Sequence, residues 1–328
     1  MTSQAKDRYR ASKLLTSYGG ESDDFFKLWP SDKQYFFSAD NQAFIAYKIS
    51  HKVAVCMGGP VGRDQSMAPL MRSFSRFCQD HGWLILFIQT NKQHQAAYAG
   101  VGLKRLLIGA DAVINLEKFT KETVNNKYFR NITNRFSKRG FRVERYMPPH
   151  QQNLMRQLRD ISNSWLEIPH RKEWAFLTGR FSSDYLQQVP LFVLYDANDR
   201  AQAFVNQLPS FKPGVATIDL MRRRINAPAN SMDYLFIEVQ EQLLKEGYSS
   251  FNLGMSPLDS HPLPKDYMAR LLIQFYKVSN RFIGFKGLHQ FKAKFQPDWE
   301  PRYVWYQGNW LDFPRLGLAV YHLMSSDD

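Results

Sequence analysis

A carboxylate in the middle of an apolar strand is the sharpest chemical feature of this sequence. Thr217-Ile218-Asp219-Leu220-Met221-Arg222-Arg223-Arg224 reads as a strand. Alternation puts Thr217, Asp219 and Met221 on one face and Ile218, Leu220 and Arg222 on the other. A carboxylate inside such a strand is costly unless it is paired or hydrogen-bonded. A structural salt bridge to a nearby arginine would satisfy it, and so would a cleft where it orients an acceptor hydroxyl or an amine. Downstream, Phe291-Lys292-Ala293-Lys294-Phe295 also alternates, with Lys292 and Lys294 on one face of an expected strand. Such lysines hold a phosphate or steady an oxyanion, or simply solvate a sheet edge. A third feature is basic. With a 100° step from Lys127, Asn131, Arg135 and Lys138 fall on one side of an expected helix and Phe129, Ile132 and Phe136 on the other. Lys121, Arg139, Arg142 and Arg145 add to this concentration of charge. It serves either as a phosphate-contacting surface for RNA or anionic lipid, or as an ordinary solvated face.

Other chemistries lack their residues. The eight histidines are scattered without zinc-ligand spacing, so no metal is expected. No serine sits in a Gly-x-Ser-x-Gly elbow. Gly58-Gly59-Pro60-Val61-Gly62 follows an expected strand but has neither Gly-x-Gly-x-x-Gly nor a Walker lysine. The loop from Arg222 to Asn230 lacks the glycine-spaced arginine or glutamine that grips a coenzyme A pyrophosphate, which argues against an acyl-CoA donor. No cofactor is expected.

These residues need elements to hold them. Tyr35 to Phe37 and Ala43 to Ile49 flank a turn and predict a hairpin. Val53 to Met57 is a third strand. Met67, Leu70, Met71, Phe74 and Phe77 recur at helical spacing, His81-Gly82 stops the helix, and Leu84 to Gln89 is the next strand. The order returns in the second half. Leu191 to Tyr195 and Ala203 to Gln207 make a hairpin, and Val215 to Met221 a strand. Met232, Leu235, Phe236, Val239 and Leu243 mark an amphipathic helix ending at Gly247, followed by a strand at Phe251 to Gly254. Hairpin, strand, helix, strand is the core order of the general control N-acetyltransferase (GNAT) fold. The expectation is therefore an α+β (α/β) chain of two tandem GNAT-like folds: residues 1–118, a single long basic connecting helix over 119–140, and residues 141–328 carrying the active site.

The chain has 328 residues, 44% hydrophobic and 15% aromatic, enough to bury a core for about two domains and to exclude a mostly disordered chain. Its net charge of +13 biases the surface toward polyanions. Cys56 and Cys78 form no Cys-x-x-Cys pair, in keeping with a reducing cytosol. No signal peptide opens the sequence, and no apolar run reaches membrane-spanning length.

Taken in series, Asp32-Lys33-Gln34 before Tyr35-Phe36-Phe37, then Gly58 to Gly62, Asp219-Leu220-Met221-Arg222, Met232-Asp233-Tyr234-Leu235-Phe236, Phe251 to Leu258, Gly284-Phe285-Lys286-Gly287-Leu288 and Phe291 to Phe295 resemble a known family. It is the catalytic domain of the aminoacyl-phosphatidylglycerol synthases of the multiple peptide resistance factor family. The resemblance implies transfer of a lysyl or alanyl group from aminoacyl-tRNA to a glycerol hydroxyl of phosphatidylglycerol, which lowers membrane negative charge and gives resistance to cationic peptides. It implies no metal and no coenzyme A. It also implies a cytoplasmic chain at the inner face of the bacterial membrane, here without the multi-span half that many members carry. Asp219, Arg222 and Lys294 then become catalytic candidates. Glu144, Asp233, Asn252 and Lys292 become substrate-binding candidates, with Glu144 either holding the donor's α-ammonium or pairing with Arg142 or Arg145. Lys127, Arg130, Arg135 and Lys138 are candidates for tRNA or lipid phosphate, and the segment around Trp310, Leu311 and Phe313 either contacts a bilayer or is a docked helix covering the second sheet. Three departures stand out: Gly59 where the family commonly has aspartate, Asn230 where glycine is common, and the stretch Ile168 to Trp174. The rival activities are tRNA-dependent transfer to a peptidoglycan precursor or a peptide, CoA-dependent N-acylation, and RNA or membrane binding without turnover.

Overall fold

A computed structural model describes residues 3–169, 171–176, 179–257 and 286–325. His170, Leu258 and Gly284-Phe285, named above in the motifs, lie outside them. One mixed sheet of twelve strands organises the described residues. In the first half, β1 (Gln34–Phe37), β2 (Ala43–Ser50) and β3 (Val53–Met57) pair antiparallel, β3 runs parallel to β5 (Leu84–Thr90), and the short β4 (Val61–Gly62) pairs with β2. Helix α1 (Ser3–Tyr18) precedes these strands, helix α2 (Asp64–Asp80) makes the crossover, Gly82, with φ of +65°, turns the chain out of it, and the short α3 (Gln95–Ala99) follows β5. In the second half, β7 (Arg142–Tyr146), β8 (Leu191–Tyr195), β9 (Ala201–Leu208) and β10 (Val215–Arg223) pair antiparallel, and β10 runs parallel to β11 (Ser250–Pro257) across helix α8 (Ser231–Lys245).

Two strands pair across the halves. β6 (Lys104–Asn115) leaves the first half to pair with β11, and β12 (Asp298–Tyr306) leaves the second to pair with β5. β6 and β12 then pair with each other along most of their length, so the two halves share one continuous sheet. Alternation sorts the core. Val53, Val55 and Met57 face a layer holding helix α6 (Gln152–Leu166) and the C-terminal helix Phe313–Ser325, whereas Ala54 and Cys56 face α2. Both cysteines are free and buried.

Two expected elements differ. The single helix over 119–140 is broken into α4 (Leu116–Lys121), a turn at Thr123–Asn125 and α5 (Lys127–Lys138). Asn126 is extended, and its side chain accepts from the Phe129 amide at 2.9 Å, so it starts a new helix instead of continuing the old one. The amphipathic pattern of α5 stands, with Lys127, Arg130, Arg135 and Lys138 exposed and Phe129, Ile132 and Phe136 buried. The expected strand at Phe291–Phe295 is instead the end of a helix, Lys286–Ala293, and its exit turn. Phe291 and Phe295, four apart, both pack on Phe236 at 5.4 and 5.7 Å, so a helical i,i+4 pair had imitated alternation. Lys292 is consequently buried while Lys294 is exposed.

Candidate active site

The strand that carries Asp219 does not alternate strictly. Its pairing with β9 shifts register between Ile218 and Met221, a β-bulge. Ile218 and Met221 both pack toward α8, and Leu220 packs on the opposite side with α6. Asp219 and Arg222, expected on opposite faces, are thereby brought to one cavity, whose lining includes both. Asn206 on β9 fills the bulge. Its Oδ1 accepts from the Leu220 amide at 2.7 Å and its Nδ2 donates to the Tyr185 hydroxyl at 2.9 Å.

Tyr185, on the short helix α7 (Ser183–Leu186), passes its own proton on, donating to Asp219 Oδ2 at 2.7 Å. The Gly179 amide donates to the same oxygen at 2.9 Å. No side chain fits at residue 179, because a Cβ would run into the Asp219 carboxylate and the Tyr185 ring. Burial pushes the Asp219 carboxyl up to about 6, against the pull of Tyr185, Gly179 and Arg222. This group changes protonation state close to neutrality, where general acid–base catalysis is most efficient.

Arg222 is buried and has a different carboxylate partner. It pairs with Glu173 Oε1 at 2.5 Å, donates to Ser162 Oγ on α6, and lies 4.8 Å over the Trp165 ring. Burial lowers its pKa and Glu173 raises it. Glu173 also accepts from the Phe181 amide at 3.1 Å. The cavity measures about 640 Å³ and also presents Arg171, Lys172 and Arg223. Four cations against three carboxylates (Glu173, Asp219 and Asp233) suit an anionic ligand.

The N-terminus of α8 forms one wall, with Ser231, Met232 and Asp233. Asn230 precedes it at φ of +70°, a left-handed conformation that glycine takes at least cost. Asn230 is held from two sides. Its amide donates to Asp233 Oδ2 and to the Tyr128 hydroxyl, and its Oδ1 accepts from Arg135 at 2.8 Å. Lys294 Nζ donates to Asp233 Oδ1 and to the Tyr128 hydroxyl, both at 2.9 Å. The basic helix α5 therefore reaches the cavity rim through Tyr128 and Arg135.

Other sequence candidates lie elsewhere. Glu144, on edge strand β7, accepts from Arg142 at 2.7 Å and Tyr146 at 2.5 Å and is not among the cavity's lining residues. Asn252 donates to Asp111 at 2.8 Å within a buried chain in which Arg302 also pairs with Asp111 at 2.6 Å and with Glu21 at 2.7 Å. Lys292 donates to the Gly254 and Met255 carbonyls at 2.9 and 3.0 Å, and burial pulls its pKa down to about 8. Sequence reasoning missed Glu173, Tyr185, Gly179 and Asn206. Only Glu173 had a signal, lying in the Ile168–Trp174 stretch already singled out.

The profile described as phosphatidylglycerol lysyltransferase, C-terminal, matches residues 12–306. Phosphatidylglycerol lysyltransferases of Staphylococcus epidermidis and Staphylococcus aureus are 29% identical over 296 residues and 28% over 297, each alignment covering 90% of this chain and 35% of the relative. The chain thus spans about a third of the length of these relatives. The structure of L-PGS from Bacillus licheniformis superposes with a TM-score of 0.85 at 30% identity, covering 96% of both chains. FemX, at 9% identity and a TM-score of 0.61, shares the fold alone. With nine-tenths of its length matched by sequence and nearly all of it by structure, the chain belongs to the phosphatidylglycerol lysyltransferase C-terminal family.

Proposed function

We propose that the chain moves an aminoacyl group from aminoacyl-tRNA to a glycerol hydroxyl of phosphatidylglycerol. The observation that carries this is the Asp219 carboxylate, held by Tyr185 and Gly179 beside Arg222 in a cation-rich cavity. The lipid hydroxyl gives its proton to Asp219 as its oxygen attacks the ester carbonyl. The bond from that carbonyl to the ribose oxygen then breaks, and the proton passes to the departing ribose oxygen. One ester is exchanged for another, so the step needs no oxidant and no nucleotide energy. Arg222 offsets the developing negative charge. Lys294, paired with Asp233 at the wall formed by α8, orients the donor end.

Donor recognition extends over the exposed face of α5, where Lys127, Arg130, Arg135 and Lys138 meet tRNA phosphates. The repeated order of strands around each crossover helix supports two GNAT-like halves that have exchanged their last strands. The chain works at the inner membrane face, where its acceptor lies. The test is to incubate the protein with phosphatidylglycerol in detergent and a set of labelled aminoacyl-tRNAs. Label in the lipid phase supports the assignment. Label transferred only to muropeptide or peptide acceptors supports the rival transferases instead.

A further inference from the structure

The C-terminal helix carries an apolar stripe that faces away from the sheet. Leu316, Ala319 and Leu323 are buried beneath it. Leu311, in the turn Trp310–Asp312, and then Leu318 and Tyr321 on the helix repeat at spacings of seven and three, which keeps them on one side. With Trp310 they are 54 to 66% exposed. Exposed apolar side chains are ordinarily scattered singly. Here four of the ten large ones among the described residues fall in one short segment.

Cations border the stripe. Lys104 Nζ donates to the Gly308 carbonyl at 3.0 Å, at the stripe's beginning. Arg315 donates to the His51 and Lys52 carbonyls at 2.8 and 2.9 Å, which places exposed Lys52 along its flank. At its far end Tyr321 lies 6.4 Å from the Trp174 ring, and Lys172 lies 5.0 Å over that same ring. The segment's own carboxylate, Asp312, is used in the capping box with Asn309. Trp174 and Lys172 also line the Asp219 cavity, so the stripe runs up to the cavity's mouth.

We propose that this stripe docks the chain on an anionic bilayer, with Trp310, Leu311, Leu318 and Tyr321 at the acyl boundary and Lys52, Lys104, Arg315 and Lys172 among the headgroups. Tryptophan and tyrosine beside leucine, bordered by cations, is the composition of an interfacial helix. A second copy of this chain is the poorer occupant, because two such faces would set like charges against each other. Docking here places the cavity mouth at headgroup level, where a phospholipid reaches Asp219 without leaving its leaflet. The proposal rests on a membrane phospholipid being the acceptor.

The test uses the triple variant Trp310→Ser, Leu311→Ser, Leu318→Ser, none of which lines the cavity. Tyr9→Ser, at an exposed site on another helix, is the control. Co-sedimentation is measured with vesicles of phosphatidylcholine alone and with added phosphatidylglycerol, and transfer is measured on vesicles and on short-chain phosphatidylglycerol free in solution. We expect the triple variant to lose at least tenfold in binding and transfer on anionic vesicles, while transfer to the soluble lipid and behaviour of the control stay at wild-type levels. Wild-type vesicle binding by the triple variant would overturn the docking surface, as would a wild-type dimer that the variant dissociates without losing vesicle binding. Absence of transfer to soluble phosphatidylglycerol by the wild-type protein would instead overturn the acceptor assignment, which vesicle binding does not measure.

Discussion

Tyr185 donates its hydrogen bond to Asp219 while its ring stacks on Trp29, with centroids 5.9 Å apart and planes 21° from parallel. Phe25 lies against the same ring at 5.9 Å. The carboxylate of the second half is therefore positioned by a tyrosine seated on aromatics from the first half. The cavity's lining residues, from Trp165 to Phe291, all lie in the second half, and the first half supplies the aromatic seat of Tyr185.

Tyr185→Phe keeps the ring but removes a donor that stabilises the ionised carboxylate. The Asp219 pKa then rises above its value of about 6. If Asp219 acts as the base, transfer falls on the acid side of this value, and the variant's acid limb moves to higher pH. A kcat/KM profile from pH 5 to 9 reads the shift. An unmoved limb would dissociate Tyr185 from the protonation of Asp219.

Gly179→Ala places a methyl group against the Asp219 carboxylate and the Tyr185 ring. We expect transfer to fall by about 10²-fold, in line with a misplacement of about 1 Å at a reacting group. Circular dichroism should report a folded chain, because residue 179 lies in an irregular segment outside the strands and helices.

Asp219→Asn should leave the protein more stable at pH 8 than the wild type. The folded-state pKa is raised from 3.8 to about 6, so the native state binds the proton more tightly than the unfolded chain. The contribution is present below the unfolded value and lost as pH rises through the folded one, at most about 3 kcal/mol. Asparagine has no charge to desolvate and can still accept from Tyr185 and Gly179. Urea denaturation at pH 4 and pH 8 tests this, with the difference between variant and wild type expected only at pH 8.

Arg302→Met removes the cation that Glu21 and Asp111 share. Two buried carboxylates would be left unpaired at the seam where β6 and β12 meet. We expect a loss of about 3–5 kcal/mol in urea denaturation. Glu21, already pushed up to about 7 by burial, should then titrate still higher.

Much of the fold was legible because each half repeats local signals: a turn between two apolar runs, then a helix with a stop. The strand bounds of β8 and β3 agree with their sequence expectations residue for residue. What was not legible is non-local. The bulge that turns Asp219 and Arg222 to one cavity depends on Asn206, on a neighbouring strand. Glu173 and Tyr185 lie in a largely irregular stretch with no periodicity to mark them. The pairing of β6 and β12 across the halves is a choice between distant segments, which no window of sequence contains. Lys292 and Lys294 were misplaced because Phe291 and Phe295 satisfy both a strand and a helix pattern.

The most direct measurement is transfer of a labelled aminoacyl group from charged tRNA to phosphatidylglycerol by wild-type and Asp219→Asn protein, with thermal melting as a check on folding. Loss of a general base costs about 10²–10⁴-fold. The account predicts labelled lipid with the wild type and a loss of that size in a variant that still melts cooperatively. Near-wild-type transfer by Asp219→Asn would contradict it.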